Sequence, residues 1–100
     1  MDKRAALKIA RKFISTLPTR YTPKKAYLFG SYARGSAKEE SDIDVAIVLN
    51  GFKDSFDTSL DLLKIGFKTD VRIEPHPITK KDFEEGNSLA EEIKKYGIPL

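Results

Sequence analysis

The segment Asp42–Leu49 constrains the architecture more than any other part of the chain. In an extended backbone Ile43, Val45, Ile47 and Leu49 point one way, and Asp42, Asp44, Ala46 and Val48 the other. Apart from its first residues the segment is apolar on both faces, the pattern of a central strand. One hundred residues allow one modest core around such a strand and no separate substrate-binding domain, so a single domain over residues 1–100 is expected.

The flanking elements follow from periodicity. Ala6, Ala10, Phe13, Ile14 and Leu17 recur at helical spacing and predict an amphipathic helix over 3–17 that stops at Pro18. Lys25–Phe29 reads as a short apolar strand meeting a tight turn at Gly30. Beyond Asn50 and Gly51, the residues Phe56, Leu60, Leu63 and Phe67 mark a second helix, capped by Asp54 or Ser55, whose apolar stripe is expected to cover one sheet face. Phe29, Phe56 and Phe67 are accordingly read as core. Thr69–Glu74 alternates again, with Val71 and Ile73 on one side and Asp70, Arg72 and Glu74 on the other, and Pro75 and Pro77 are expected to end that strand. Ser88 followed by Glu91 resembles a capping box for a last helix that carries Leu89, Ile93 and Tyr96 and stops at Gly97, leaving Ile98–Leu100 as an extended tail. This alternation predicts an α/β (α+β) layered domain, a small mixed sheet flanked by helices.

Composition removes several chemistries. With no cysteine and one histidine, His76, the chain has no disulfide framework or iron–sulfur site, and a bound metal would have to be held by carboxylates. His76 itself, set between two prolines, reads as a loop residue without a role, and Tyr32 as packing at a helix start. Eighteen Lys plus Arg against fifteen Asp plus Glu give only +3, and Lys3, Arg4, Lys8, Arg11 and Lys12 read as the solvated face of the first helix rather than a nucleic-acid patch. The longest apolar run, Val45–Leu49, falls far short of the ~20 residues a membrane-crossing helix needs, so a soluble cytoplasmic protein is expected.

Two features carry chemistry. Asp42 and Asp44 share one side of a strand with Cα atoms about 6.5–7 Å apart, so both can grip one metal ion. Their crowding at the end of an apolar strand costs energy unless a cation or water compensates. The turn at Gly30-Ser31 lets the backbone approach a phosphate closely, offers a hydroxyl, and opens a short helix whose free N–H groups favour negative charge. Arg34 can fork onto two phosphate oxygens.

Gly30-Ser31, ten intervening residues and Asp42-Ile43-Asp44 together resemble the signature of the DNA polymerase beta-like nucleotidyltransferase superfamily. Gly30-Ser31-Tyr32-Ala33-Arg34-Gly35 and Ser41-Asp42-Ile43-Asp44 are similar to the form found in its minimal nucleotidyltransferases. The resemblance implies the nucleotidyltransferase fold over nearly the whole chain. It implies that Asp42, Asp44 and a third carboxylate hold two Mg²⁺ ions, and that Gly30 and Ser31 contact a nucleoside triphosphate. The third carboxylate is Asp70 or Glu74, with the Asp-Val-Arg order at 70–72 favouring Asp70. The implied reaction moves AMP from ATP to a hydroxyl acceptor and releases pyrophosphate. The implied partner is a small helical HEPN-type toxin, modified on a tyrosine by a chain acting as its antitoxin. Two other readings stay open: a non-catalytic module that masks its partner, and an enzyme that modifies nucleic-acid ends. Self-association is left open, and no membrane partner is expected.

Overall fold

In chain order the elements are α1 (Lys3–Ser15), β1 (Lys25–Phe29), α2 (Gly30–Arg34), β2 (Ile43–Leu49), α3 (Ser55–Phe67), β3 (Ile73–Thr79), α4 (Lys80–Glu85), α5 (Ser88–Tyr96) and β4 (Ile98–Pro99), in a computed structural model that describes residues 1–100. The sheet runs β3-β2-β1-β4, so β2 and β1 are the inner strands. β1 lies antiparallel to β2 and to β4, and β3 lies parallel to β2, reached through the crossover helix α3. The extended tail expected after Gly97 is thus a short edge strand.

The two apolar faces of β2 are each covered. Ile43, Val45, Ile47 and Leu49 join Leu28 and Ile73 beneath Ala6, Ala10 and Phe13 of α1 and Leu62 of α3. On the opposite face Ala46 and Val48 pack with Phe29 and Ile78 beneath Phe83 of α4 and Ala90 and Ile93 of α5. Asp44 shares this second face but lies toward the strand's N-terminal end, where it stays partly exposed. The site is therefore placed where one helical layer stops.

Three expectations are corrected by the packing. The stripe Phe56, Leu60, Leu63, Phe67 does not face the sheet: Phe56 is 74% exposed and Phe67 51%. α3 instead buries Thr58, Leu62 and Gly66, a stripe of step four with a glycine where helix and sheet come closest. A Cβ on Gly66 would lie 3.0 Å from Ile73 Cγ2 and 3.5 Å from Phe13 Cε1, so the small residues take the inner face and the phenyl rings turn outward. Gly66→Leu is expected to destabilise the fold by about 1–3 kcal/mol through overpacking, read as a lower denaturation midpoint. An unchanged midpoint would mean that α3 can stand off from the sheet without loss.

The third strand begins and ends later than periodicity suggests. Thr69–Arg72 forms a turn after α3, and Ile73–Thr79 is extended with both prolines inside it. β3 is an edge strand. Ile43 N–H donates to the Arg72 carbonyl, which in a parallel ladder turns the N–H groups of Glu74, His76 and Ile78 toward β2 and leaves positions 75 and 77 facing the open edge. Proline lacks only the donor that this edge would leave unpaired.

The third correction concerns the C-terminal helices. α5 is capped by Asn87, whose Oδ1 accepts from Ala90 N–H at 2.8 Å, one residue before the expected Ser88 cap. Before it stands α4, which periodicity did not reveal, started by Thr79 Oγ1 accepting from Asp82 N–H. Elsewhere the caps agree with expectation: Asp54 Oδ1 accepts from Asp57 N–H at the start of α3. α1 ends at Ser15, two residues before the expected Leu17.

Candidate active site

Asp44 sits between two neighbours in register, Phe29 of β1 and Glu74 of β3. Residues paired across adjacent strands point to the same face, so the two carboxylates stand side by side. Asp42 precedes β2 by one residue on that same side and is exposed. His76, two residues beyond Glu74, brings its Nε2 to 3.0 Å from Asp44 Oδ1 and 4.0 Å from Glu74 Oε1. Its imidazole meets the Phe29 ring edge-on, with centroids 4.8 Å apart. Donor atoms of Asp44, Glu74 and His76 all lie within 4.8 Å of one another.

The electrostatics report the crowding. Glu74 is held above the ordinary carboxyl range, first by a hydrogen bond shared with Asp42, then by partial burial and the charges of Asp44 and Asp42, with His76 pulling the other way. Three carboxylates meeting, offset only in part by His76, favour a retained proton. A divalent cation would take the place of that proton, and carboxylate oxygens are its ordinary ligands. The donor set thus fits a cation.

Gly30 closes the other wall. Its φ of +73° lies in the left-handed region, and a Cβ there would fall on the Asp44 carboxylate, with Asp44 Cγ only 2.9 Å away. Only glycine lets the chain turn from β1 into α2 this close to Asp44. The first N–H groups of α2, including that of Ser31, have no partner within the helix. Tyr32, 2% exposed, anchors α2 to the core as expected for a helix-start tyrosine. Gly30, Ser31, Ser41, Asp42, Asp44 and His76 line an open cleft of about 400 Å³, with Arg34 and Glu92 at its rim. Arg34 is paired there with Glu92 of α5.

Asp70 is elsewhere. It lies in the turn before β3, where Oδ1 accepts from Arg72 N–H and Nε at 2.9 Å each and Oδ2 accepts from Arg72 Nη2 at 2.7 Å. That guanidinium holds the Asp70 carboxyl below its usual range. The two acids that alternation puts on one strand face are therefore separated: Glu74 joins Asp42 and Asp44, and Asp70 closes a turn with Arg72. Two members of the site were not anticipated, His76 and Glu92. The signal for His76 was its period-two spacing from Glu74, hidden by reading the prolines as a strand end. Nothing local to α5 marks Glu92.

Residues 8–100 match the family described as the nucleotidyltransferase domain. The chain belongs to that family. Within it, the chain is similar to MJ1379 of Methanocaldococcus jannaschii, named as a candidate protein adenylyltransferase: 38% identical over 87 residues, 77% of this chain and 86% of the relative. Among solved structures, a toxin–antitoxin crystal structure with AMP-PNP shares the fold at a TM-score of 0.61 and 21% identity, covering 99% of this chain and 72% of that one. A complex of a tri-AMPylated HEPN toxin with an MNT antitoxin from Shewanella oneidensis matches at a TM-score of 0.51 and 19% identity, over 97% of this chain and 66% of that one. The nucleotidyltransferase fold read from the Gly-Ser turn and the paired aspartates is thereby borne out. No helix of this nucleotidyltransferase is long and apolar enough to cross a membrane.

Proposed function

We propose that this nucleotidyltransferase moves AMP from ATP onto a hydroxyl group of a small helical HEPN-type protein, with Asp42, Asp44 and Glu74 holding the divalent cation that the reaction needs. The observation that carries this reading is the meeting of three carboxylates beside the Gly30-Ser31 turn. The relative's name and the tri-AMPylated toxin of the distant complex support the choice of acceptor.

Each residue has a physical task. The Ser31 hydroxyl and the first-turn N–H groups of α2 donate to phosphate oxygens and orient the triphosphate. Arg34 exchanges its Glu92 partner for phosphate, a bidentate contact that a guanidinium makes well. The bond from the acceptor oxygen to the α-phosphorus forms as the bond from that phosphorus to the bridging oxygen breaks, and pyrophosphate leaves. The hydroxyl proton leaves to water in the open cleft. A bound divalent cation supplies charge neutralisation at the phosphate and lowers the pKa of the attacking hydroxyl.

The test is incubation with ATP labelled on its α-phosphate, Mg²⁺ and a HEPN-type protein. Label on the protein, reduced about 10²-fold by Glu74→Gln and little changed by Asp70→Asn, is the expected result. Asp70→Asn is expected to cost only about 1 kcal/mol of stability through its weakened Arg72 bonds. The reverse pattern would assign the third ligand to Asp70, and label appearing on RNA or DNA would replace the protein acceptor with a nucleic-acid end. Protection of the partner without label, unchanged by substitution of Asp44, would establish a masking module instead.

A second expectation concerns pH. Because the folded protein raises the Glu74 carboxyl, it binds that proton more tightly than the unfolded chain does. The associated stability is present below the ordinary carboxyl range and is lost as pH rises through the raised value. Mg²⁺ competes with the same proton, so its stabilising effect should be larger at about pH 8 than at about pH 5. Thermal denaturation with and without Mg²⁺ measures this, and an equal shift at both pH values would place the cation away from Glu74.

A further inference from the structure

α3 leaves an apolar stripe in solvent. Phe56 and Phe67 are exposed, Leu60 is 40% exposed and Leu63 is half-buried. Between this stripe and the open edge of β3 runs a groove of about 220 Å³, walled by Ser59 and Pro75. A contiguous apolar surface of this kind is the mark of an interaction site.

The order of residues along the stripe says which surface fits it. Phe56, Leu60, Leu63 and Phe67 follow one another at steps of four, three and four and read Phe-Leu-Leu-Phe in either direction. The stripe is therefore unchanged by a half-turn about a point midway between Leu60 and Leu63, the property a twofold interface requires. When a second copy of α3 lies antiparallel on the first, Phe56 of each copy faces Phe67 of the other and Leu60 faces Leu63. Steps of four and three are also the seam spacing of helices packed side by side.

The flank charges agree. Asp57 and Lys64 are exposed and lie seven residues apart on the side of the stripe away from Gly66 and the sheet. In an antiparallel pair like flanks meet, so Asp57 of each copy stands beside Lys64 of the other. The N-terminal turn of each helix then also lies beside the C-terminal turn of its mate, which aligns the helix dipoles favourably. A parallel pair would set Asp57 and Lys64 against the flank that carries Ser59 and Gly66 and would leave both charges unmatched. A partner of different sequence would need neither the palindrome nor the reciprocal charges.

We propose that the outer face of α3 is a self-association surface on which two copies of this chain pair antiparallel through Phe56, Leu60, Leu63 and Phe67, with Asp57 of each copy beside Lys64 of the other. The inner side of α3 packs through Leu62 on the sheet face of Val45 and Ile47, whereas Asp44 shares the opposite face with Ala46 and Phe29, so pairing leaves the cleft open to its ligands. A helix of 13 residues spans about 20 Å. Burying the stripe of both copies removes on the order of 1,000 Å² from water, the low end for specific association, and the dimer is accordingly reversible with a dissociation constant in the micromolar range.

Sedimentation equilibrium from about 1 µM to about 1 mM tests this. The expected result is a monomer–dimer equilibrium that Leu60→Glu weakens at least about 100-fold by setting charges at the centre of the seam. Asp57→Lys turns both cross-contacts into repulsion and is expected to weaken the dimer about tenfold, and adding Lys64→Asp to restore it to within about threefold of the wild type. A chain that stays monomeric to about 1 mM overturns the proposal. A dimer that Asp57→Lys does not weaken, or that Lys64→Asp then fails to restore, overturns the antiparallel seam. A monomer whose binding of a HEPN-type protein is lost on Leu60→Glu gives the face to that protein instead. Asp57 and Lys64 are exposed, so the charge exchange is decisive even if Leu60→Glu does not fold. Because none of these residues lines the cleft, the sedimentation result stands apart from the fate of the AMP-transfer reading.

Discussion

Asp44→Asn is expected to lower AMP transfer by about 10³-fold or more, equivalent to about 4 kcal/mol of barrier, while leaving the melting temperature unchanged or raised. Asp44 is the carboxylate with the most contacts to the rest of the site: Glu74 stands beside it in register, His76 reaches its Oδ1, and Gly30 is shaped around it. Replacing it with the isosteric amide keeps an oxygen that can accept from His76 Nε2 but removes one negative charge from a cluster of three. That loss weakens cation binding and at the same time relieves the Asp44 share of the repulsion on Glu74, whose carboxyl is raised first by its hydrogen bond with Asp42 and by partial burial. Activity and stability should therefore move in opposite directions, a pattern that a merely structural aspartate would not produce. Label transfer and thermal denaturation on one preparation measure both. Residual activity within about tenfold of the wild type would remove Asp44 from the chemistry.

Gly30→Ala should damage both properties at once. At φ +73° an L side chain is strained, costing about 1–3 kcal/mol, and here the new methyl group would also land on the Asp44 carboxylate. Asp44 must then swing away or α2 must shift, and either motion spoils the geometry on which catalysis depends, with a loss of about 10²-fold or more. Gly35→Ala provides the control. Its φ is +79°, yet nothing lies within 4 Å of the added Cβ, so it should carry the strain cost alone and retain activity. Denaturation midpoints and transfer rates of the two variants separate strain from collision. Equal activity in both would mean that the close approach of Gly30 to Asp44 has no catalytic consequence.

The outward stripe of α3 shows where pattern reading fails and why. Phe56, Leu60, Leu63 and Phe67 form as good an apolar face as Thr58, Leu62 and Gly66 with Ile65, and a helix can bury only one of them against a sheet. Periodicity identifies that α3 is amphipathic but weighs side chains by hydrophobicity. The fold weighs how closely the helix can approach Ile73, and Gly66 decides that. The prolines of β3 misled in a related way. A proline ends an inner strand, but it sits without loss on an edge whose open side faces it, and edge position is a property of strand order, not of the residues themselves.

The sequence alone was sufficient for whatever depends on neighbours along the chain. The two-faced β2, the aspartates at its start, the Gly30-Ser31 turn and a helix cap at Asp54 or Ser55 follow from spacings of a few residues, because alternation, helical period and left-handed turns are local constraints on the backbone, and the resemblance of the Gly-Ser and Asp-Ile-Asp motifs pointed to the nucleotidyltransferase family. The tertiary structure decided whatever depends on which strand lies beside which. Parallel pairing sets Glu74 opposite Asp44 and leaves Asp70 in a turn with Arg72, and it carries His76 from an apparent loop into the cluster. A shift in the register of β3 would exchange those roles without altering any local pattern, since register is fixed by packing between distant segments.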